Sequence, residues 1–176
     1  DCIWGCFSMD GREQLYRWAG PYMVSRQVVA VNANSGIETL ADLAGKTMMV
    51  QSTTKPEEIF LGGTDPRIPQ FGELLSTEDR SVQYAMLNCG YVDAIAAHET
   101  AILQYMQDCN ADFRILEEPL LVTGIGVAFA LNDTRGLDEK LTETLAAMRA
   151  DGTLKQIVGK YLPDPEKYLE VDALEP

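Results

Sequence analysis

The sequence has few basic residues, a single histidine and no long apolar run. Its 176 residues include 14 Lys and Arg against 27 Asp and Glu, which gives a net charge of -13. A surface with that balance repels phosphate backbones and anionic lipid, so nucleic acid and bare membrane are poor partners. No apolar segment approaches the roughly 18 residues of a membrane-spanning helix, which predicts a globular, water-soluble chain.

The four cysteines, Cys2, Cys6, Cys89 and Cys109, are scattered and form no C-x-x-C pair. This spacing argues against a disulfide scaffold and against a structural zinc site, and the sequence indicates no metal and no cofactor. We interpret Cys2 and Cys6 as small buried hydrophobic residues. Cys89 and Cys109 are predicted to end two successive helices, where a disulfide is possible if the protein is secreted.

The periodicity of the sequence is that of an α/β protein. Short β-branched runs alternate with amphipathic helical segments, which is typical of βαβ units around a mostly parallel sheet. The predicted strands are "KTMMVQ", "YVDAIAA", "FRILEE" and "GIGVAFAL", and the stretch "DPRIPQFGEL" is interpreted as irregular.

Helix starts are marked by capping residues. Ser35 and Glu38 fit a capping box at the start of "SGIETLADLAGK", and Pro56 suits the first turn of the helix after "STTK". Ser76 and Asp79 can cap a helix that ends near Cys89. Further helices are predicted for "TAILQYMQD" and "DGTLKQIVGKYL".

A helix near the C-terminus is predicted from four residues at helical spacing, which we assign to the core. They are Leu137, Leu141, Leu145 and Met148. The tail "PDPEKYLEVDALEP" is acidic and proline-rich, so it is expected to lie along the surface or to lead to another module.

Polar residues are interpreted as following three strands: "CFSMDGR" after a first strand at the start of the chain, "QSTTKP" after "KTMMVQ", and "HET" after "YVDAIAA". Ligands of open parallel sheets gather beyond the carboxyl ends of the strands, so these segments are the candidate site. Each has a simpler interpretation. Arg12 could be a surface charge, the hydroxyls of 52–54 could cap a helix, and His98 could be a half-buried side chain.

Four motifs resemble those of the family 3 periplasmic solute-binding proteins. "GCFSMDGREQLYRWAGPYMVSRQVVAV" resembles the stretch that carries the family's ligand-binding Arg, and "IETLADLAGKTMMVQSTT" its strand and Ser/Thr ligand loop. "LNCGYVDAIAAHETAI" resembles the Gly-x-x-Asp-Ala strand that ends in a polar ligand residue. "GIGVAFALN" with "MRADGTLKQIVGKYL" is similar to the closing segment, so the resemblance extends to about Leu162.

The resemblance implies a two-lobed, periplasmic-binding-protein-like fold of type II, with a polar solute held in the cleft between the lobes. Lobe one would comprise 1–24 and 121–176, and lobe two 25–120. The strand and helices that the family places before Asp1 are absent from the sequence. Lobe one is therefore expected to be incomplete, and its exposed strand edges make a homodimer or domain exchange possible.

The resemblance also implies roles for individual residues. Arg12 would bind the ligand α-carboxylate, with Ser8 hydrogen-bonding beside it, although the family's hydroxyl lies one place later. Ser52, Thr53 and Thr54 form the ligand loop, whose hydroxyls and N–H groups lie at a helix start. A guanidinium forms a bidentate, charge-assisted pair with a carboxylate, so the physical chemistry independently favours an anionic ligand group.

His98 occupies the place where the family usually presents an aspartate to the ligand ammonium. A neutral imidazole is a weaker ammonium partner than a carboxylate, so we expect the neighbouring Glu99 to supply the charge. The chain would have to turn between the two residues for both side chains to reach the ligand, and His98 would then shape the side-chain pocket.

The function implied is extracytoplasmic binding of an amino acid or similar small carboxylate, without catalysis. The partner would be a membrane permease in ABC transport or an attached signalling domain. Two alternatives stay open. One is a dehydratase-type enzyme in which His98 and Glu99 act as acid and base, and the other is the effector-binding domain of a transcription regulator.

Overall fold

The structure is a computed structural model that describes residues 1–5 and 7–174. The chain divides into two compact units, Asp1–Ser25 with Val122–Pro176, and Arg26–Leu121. Cys6, which the sequence predicts to be buried, lies outside the described residues. Cys2 is exposed, so its assignment to the core is wrong.

The second unit is built on a sheet with the strand order β3-β2-β4-β1-β5. Strand β2 is parallel to β3 and to β4, whereas β1 is antiparallel to β4 and β5. The predicted parallel core is therefore present, but the sheet is mixed. The strands are β1 Arg17–Asn32, β2 Thr47–Gln51, β3 Glu73–Thr77, β4 Ala94–His98 and β5 Phe113–Ile115.

Strand β3 was missed by the sequence interpretation, which treated 65–74 as irregular although Glu73 and Leu74 begin the strand. It is an edge strand, and its burial pattern shows no fully buried residue. An edge strand packs against one neighbour, so its side chains need not form the apolar run that marks a central strand.

The helices of this unit are α1 Lys55–Gly62, α2 Arg80–Asn88 and α3 Glu99–Cys109. Asp79 caps α2 by accepting a hydrogen bond from the Ser81 N–H, as predicted. The helix expected from Ser35 is instead a single 3-10 turn, Leu40–Leu43. Its capping box is formed by Thr39 and Asp42, so the assignment to Ser35 and Glu38 is wrong. Ser76 belongs to β3 and caps nothing.

The core of the second unit covers both faces of the sheet. Along β1, Val28 and Ala30 pack on one face, and Val29 and Val31 pack on the other. This double burial explains the continuous apolar run "VVAV", because a strand covered on both faces has no polar side. The helices therefore lie on both faces, as an α/β fold requires.

The first unit contains the start of β1, which pairs with β6, Leu121–Phe129. The helices α4, Leu137–Ala150, and α5, Thr153–Val158, follow. Of the four residues assigned to the core of α4, Leu145 is buried and Leu141 packs on a small cluster around Val127. Leu137 is exposed, so its assignment is wrong, and Met148 is half-buried.

The acidic tail packs against the first unit. It forms two 3-10 turns, Glu166–Tyr168 and Val171–Ala173, and buries Tyr168 and Val171. Two apolar side chains thus fix a segment whose composition predicts a polar surface.

Candidate functional site

A narrow pocket lies in the second unit where β2 and β4 end. The two strands are parallel neighbours, so their carboxyl ends meet at one edge of the sheet. We call it the strand-end pocket. Its lining residues are Gln27, Gln51, Thr54, Pro56, Arg80, Ala96, Ala97 and His98.

The loop after β2 places one of the predicted hydroxyl residues in the strand-end pocket. Thr54 lines the pocket and is the N-cap of α1, and its hydroxyl donates to the Gln51 carbonyl at 2.6 Å. The Thr53 N–H donates to Glu57 at 2.6 Å, and the Ser52 N–H donates to the carbonyl of Thr77 at 2.8 Å. Neither Ser52 nor Thr53 lines the pocket, and both of their N–H groups already have acceptors.

Glu57 holds this loop through the first turn of α1. It accepts hydrogen bonds from the Ser76 hydroxyl and the Thr53 N–H, and these two contacts lower the pKa of the Glu57 carboxyl below its usual value. Thr53 has a φ of 61°, in the left-handed region that residues other than glycine rarely adopt. The ionised carboxylate thus stabilises a turn that the sequence alone would not favour.

His98 is the last residue of β4 and lies opposite Gln27 of β1. Gln27 Nε2 is 3.0 Å from His98 Nδ1 and 3.2 Å from Nε2. Burial, and then the positive charge of Arg80, lower the pKa of His98 below its usual 6.5. The imidazole is therefore neutral at pH 7, with one nitrogen that donates and one that accepts.

Arg80 was not singled out from the sequence. It is the first residue of α2, is half-buried and lines the strand-end pocket. Its Nε donates to Gln51 Oε1 at 3.0 Å, and it has no carboxylate partner among residues 1–5 and 7–174. A cation is disfavoured at a helix N-terminus, because the helix dipole is positive there. That unfavourable position was the signal in the sequence that could have identified it.

Glu99 does not line the pocket that His98 lines. It is the first residue of α3, its side chain is 7% exposed, and its Oε2 lies 3.2 Å from Arg26 Nε. The chain does turn from strand to helix between the two residues, as predicted. The turn directs Glu99 to Arg26 and leaves His98 in the pocket.

A buried glutamine supports the floor of the pocket. Gln83 of α2 is fully buried, and its Nε2 donates at 2.9 Å to the carbonyls of both Met49 and Ala96. These carbonyls belong to β2 and β4, so one side chain ties together the two strands that end at the site. Its one signal in the sequence is an amide inside an amphipathic helix.

In the first unit, the structure places Ser8 and Arg12 next to each other. Arg12 donates to the Ser8 carbonyl at 3.2 Å, and its guanidinium lies 5.1 Å from the centre of the Phe7 ring. The Ser8 side chain is buried and lies 3.2 Å from the Thr123 hydroxyl. Within the described chain, Arg12 has no ion-pair partner, which leaves its charge available to an anion.

An aromatic cluster positions Arg12. Phe7 stacks on Trp18 with ring centres 5.4 Å apart, and Tyr16 packs edge-on against both. The indole N–H of Trp18 donates to the Arg12 carbonyl at 3.2 Å. The backbone and the guanidinium of Arg12 are thus both held by this cluster, which favours a preorganised site over a mobile surface charge.

The part of the chain that the structure describes has neither a metal-binding cluster nor a helix suited to a membrane. No cluster of three or more His, Cys, Asp or Glu side chains is arranged to hold a metal ion in 1–5 and 7–174. Across the same part of the chain, no helix combines the length and apolar character that crossing a bilayer requires. Cys89 and Cys109 are both exposed thiols without a disulfide, so the bond considered between them is not present.

A known protein family matches most of the chain. Residues 1–164 match the family described as bacterial extracellular solute-binding proteins, family 3, and the chain belongs to that family. The predicted family and fold class are confirmed by this match and by the structural comparisons below.

Named relatives cover most of the chain. The glutamate-binding protein GluB of Corynebacterium glutamicum is 26% identical over 97% of this chain and 58% of its own length. The histidine-binding periplasmic protein of Salmonella typhimurium is 33% identical over 78% of this chain and 54% of its own length. The chain therefore spans less than two thirds of the length of these relatives.

Solved structures agree with the sequence relatives. The substrate binding protein of an amino acid ABC transporter has a TM-score of 0.75 and 27% identity, over 93% of this chain and 71% of that chain. The arginine-, lysine-, histidine-binding protein ArtJ of Geobacillus stearothermophilus has a TM-score of 0.73 and 26% identity, over 93% and 70%.

Proposed function

We propose that the chain binds a small solute that carries a carboxylate, an amino acid or a close analogue, outside the cytoplasm. The observation that carries the proposal is the state of Arg12. It is a half-buried guanidinium without an ion-pair partner among the described residues, held by the Ser8 carbonyl and the Phe7 ring. Such a group is suited to a planar anion.

The energetics favour a carboxylate at Arg12. A hydrogen bond to a charged group contributes roughly 1.5 to 3 kcal/mol net, and a carboxylate can accept two from one guanidinium. No carboxylate of the described residues is paired with Arg12, so a solute anion would not have to displace one. An anionic solute therefore gains the pair without breaking an existing ion pair.

The relatives support the same class of solute. Their names include a glutamate-binding protein, a histidine-binding periplasmic protein and the substrate binding protein of an amino acid ABC transporter. We propose that this chain likewise serves ABC uptake, with a membrane permease as its partner. The alternative partners that we propose are an attached signalling domain and a second copy of the chain.

The structure gives no support to the dehydratase alternative. That interpretation needed His98 and Glu99 in one pocket as acid and base. The Glu99 carboxylate lies instead against Arg26, and it does not line the pocket of His98. We propose binding without catalysis.

The experiment is a calorimetric titration of the purified chain with pairs of acids and their carboxamides. Each pair has nearly the same shape, and only the acid carries the charge that Arg12 would bind. We expect acids to bind and the carboxamides to bind at least about tenfold more weakly. Equal affinity for an acid and its carboxamide would contradict the proposal.

A further inference from the structure

Gly126 of β6 lies against three residues that contact Arg12. Its N–H donates to the Phe7 carbonyl at 3.3 Å. A Cβ at this position would lie 3.0 Å from Trp18 Cε3 and 3.0 Å from Met9 Sδ, so both side chains rest directly on the backbone of β6. Any residue with a side chain would have to push these groups away, because a packed interior has no room to absorb an added methyl group.

Phe7, Met9 and Trp18 each hold a different part of Arg12. The Arg12 N–H donates to the Met9 carbonyl at 2.9 Å, and the Arg12 carbonyl accepts a hydrogen bond from the Trp18 indole N–H at 3.2 Å. The guanidinium lies 5.1 Å from the centre of the Phe7 ring, which stacks on Trp18. The two backbone groups and the cationic end of Arg12 are therefore all fixed by residues that rest on Gly126.

The glycine at position 126 is required by space and not by its backbone angles. It lies within the extended strand β6 and does not have a positive φ, so alanine could adopt the same backbone conformation. The strain of a substitution would come from contacts, since a Cβ would also lie 2.9 Å from the carbonyl oxygen of Ala19. Adding a methyl group must therefore shift either β1 or the Trp18 ring.

The orientation of Arg12 matters because a guanidinium binds a carboxylate through two parallel hydrogen bonds. A side chain that is already held in the binding orientation loses less conformational freedom when the solute binds. Arg12 has no ion-pair partner among residues 1–5 and 7–174, so its orientation depends on the neutral groups around it.

We propose that Gly126 and Trp18 are positioning residues for Arg12, and that β6 sets the orientation of the guanidinium through them. The inference rests on the proposed function, in which Arg12 binds the carboxylate of the solute. All of the residues involved belong to the first unit. Strand β6 thus contributes to affinity through Gly126, although a glycine has no side chain that a solute could contact.

Side-chain NMR of the purified chain without solute tests the positioning. The Nε–H signal of Arg12, identified by its absence in Arg12→Ala, should have the upfield shift that a neighbouring aromatic face produces. Gly126→Ala and Trp18→Leu should move this signal toward the position of an exposed arginine. Trp18→Phe keeps an aromatic ring beside Phe7 but loses the indole N–H, so its signal should lie between the two.

Calorimetry of the same variants connects the position of Arg12 to binding. The probes are L-histidine and L-glutamate, each compared with its α-carboxamide, because only the acid has the α-carboxylate that Arg12 would bind. We expect the ratio of acid to carboxamide affinity to fall at least about fivefold in Gly126→Ala and in Trp18→Leu. A purely structural role would weaken both members of a pair alike and leave the ratio unchanged.

Two substitutions in the same unit serve as matched controls. Gly124→Ala adds the same methyl group to β6, but the nearest atom to its Cβ would be Pro21 Cβ at 2.9 Å. Trp4→Phe reduces a tryptophan that is 59% exposed. Both variants should leave the Arg12 signal and the affinity ratio at their wild-type values.

The outcomes separate this inference from the proposed function. If Gly126→Ala and Trp18→Leu leave the Arg12 signal or the affinity ratio unchanged, the inference is wrong, while Arg12 can still bind a carboxylate. If the wild-type chain binds neither acid, or binds each no more tightly than its carboxamide, the proposed function is contradicted, and with it the contribution of β6 to affinity.

Discussion

Gln27 and His98 face each other across β1 and β4, with Gln27 Nε2 3.0 Å from His98 Nδ1. Both residues line the strand-end pocket, and so does Arg80. The single histidine of the sequence is therefore held by an amide and lies near a cation. The adjacent Glu99 has its Oε2 3.2 Å from Arg26 Nε.

We predict that the protein loses stability as the pH falls below 6.5 because of His98. Burial and Arg80 lower the pKa of His98 from 6.5 in the folded state. The unfolded chain then binds a proton first, so the free energy of unfolding decreases as the pH falls from 6.5 toward the lowered folded-state pKa. Above pH 7 both states are neutral at this residue, and its contribution does not change.

The measurement is urea unfolding between pH 7.5 and 5. His98 is the only histidine in the sequence, so His98→Gln should flatten this part of the profile. Asp133 has a pKa of about 2 and therefore titrates below this window. If the wild-type chain and His98→Gln show the same slope between pH 7 and 5, the histidine does not carry the effect.

A second prediction concerns Gln83, which ties β2 to β4. Replacing Gln83 with Leu leaves the buried carbonyls of Met49 and Ala96 without the donor that they share. It also removes Gln83 Oε1, which has no partner in the described structure, and this offsets part of the loss. We expect the free energy of unfolding to fall by about 1 to 3 kcal/mol.

Gln104→Leu is the control for Gln83, because Gln104 is an exposed glutamine of α3 that donates to Asp108. It should change the free energy of unfolding by less than about 0.5 kcal/mol. Equal effects of the two substitutions in urea would show that Gln83 is not a specific tie between the strands.

A third prediction separates stability from binding at Glu99. Glu99→Gln removes the charge that faces Arg26, and both side chains are less than a quarter exposed, at 7% and 22%. We expect the free energy of unfolding to fall by about 1 to 3 kcal/mol, while solute affinity stays unchanged. The double variant with Arg26→Gln should recover part of the lost stability.

Chemical unfolding and calorimetry on Glu99→Gln and on the double variant test this assignment. A large loss of amino-acid affinity in Glu99→Gln, without a loss of stability, would instead support the ammonium site that the sequence suggested.

The sequence predicted the elements whose signals are local. Asp79 caps α2 as expected, and β4 ends at His98. The short strand β2 was also predicted. Strand β1 was not among the predicted strands, although its apolar run is what burial on both faces produces. Helix α1 begins at Lys55 with a proline in its first turn, as the sequence indicated.

The candidate site was less predictable because its members are brought together by tertiary contacts. No sequence pattern indicates that Glu99 pairs with Arg26. A carboxylate at a helix start is favourable whether it pairs with a cation of the protein or binds the ammonium group of a ligand. Arg80 approaches the pocket only because β2 and β4 are neighbours, which fixes α2 beside their ends. Its charge at a helix N-terminus was the one local signal.

The most direct test of the account is calorimetry of Arg12→Ala with the carboxylate solute that binds the wild-type chain. Arg12 is held by the Ser8 carbonyl and the Phe7 ring, so its loss should remove the anchor for the carboxylate. Lys160→Ala removes one exposed positive charge from the same unit and serves as the control. The account predicts binding weaker by about 2 kcal/mol or more in Arg12→Ala and wild-type affinity in Lys160→Ala. Unchanged affinity in Arg12→Ala would contradict it.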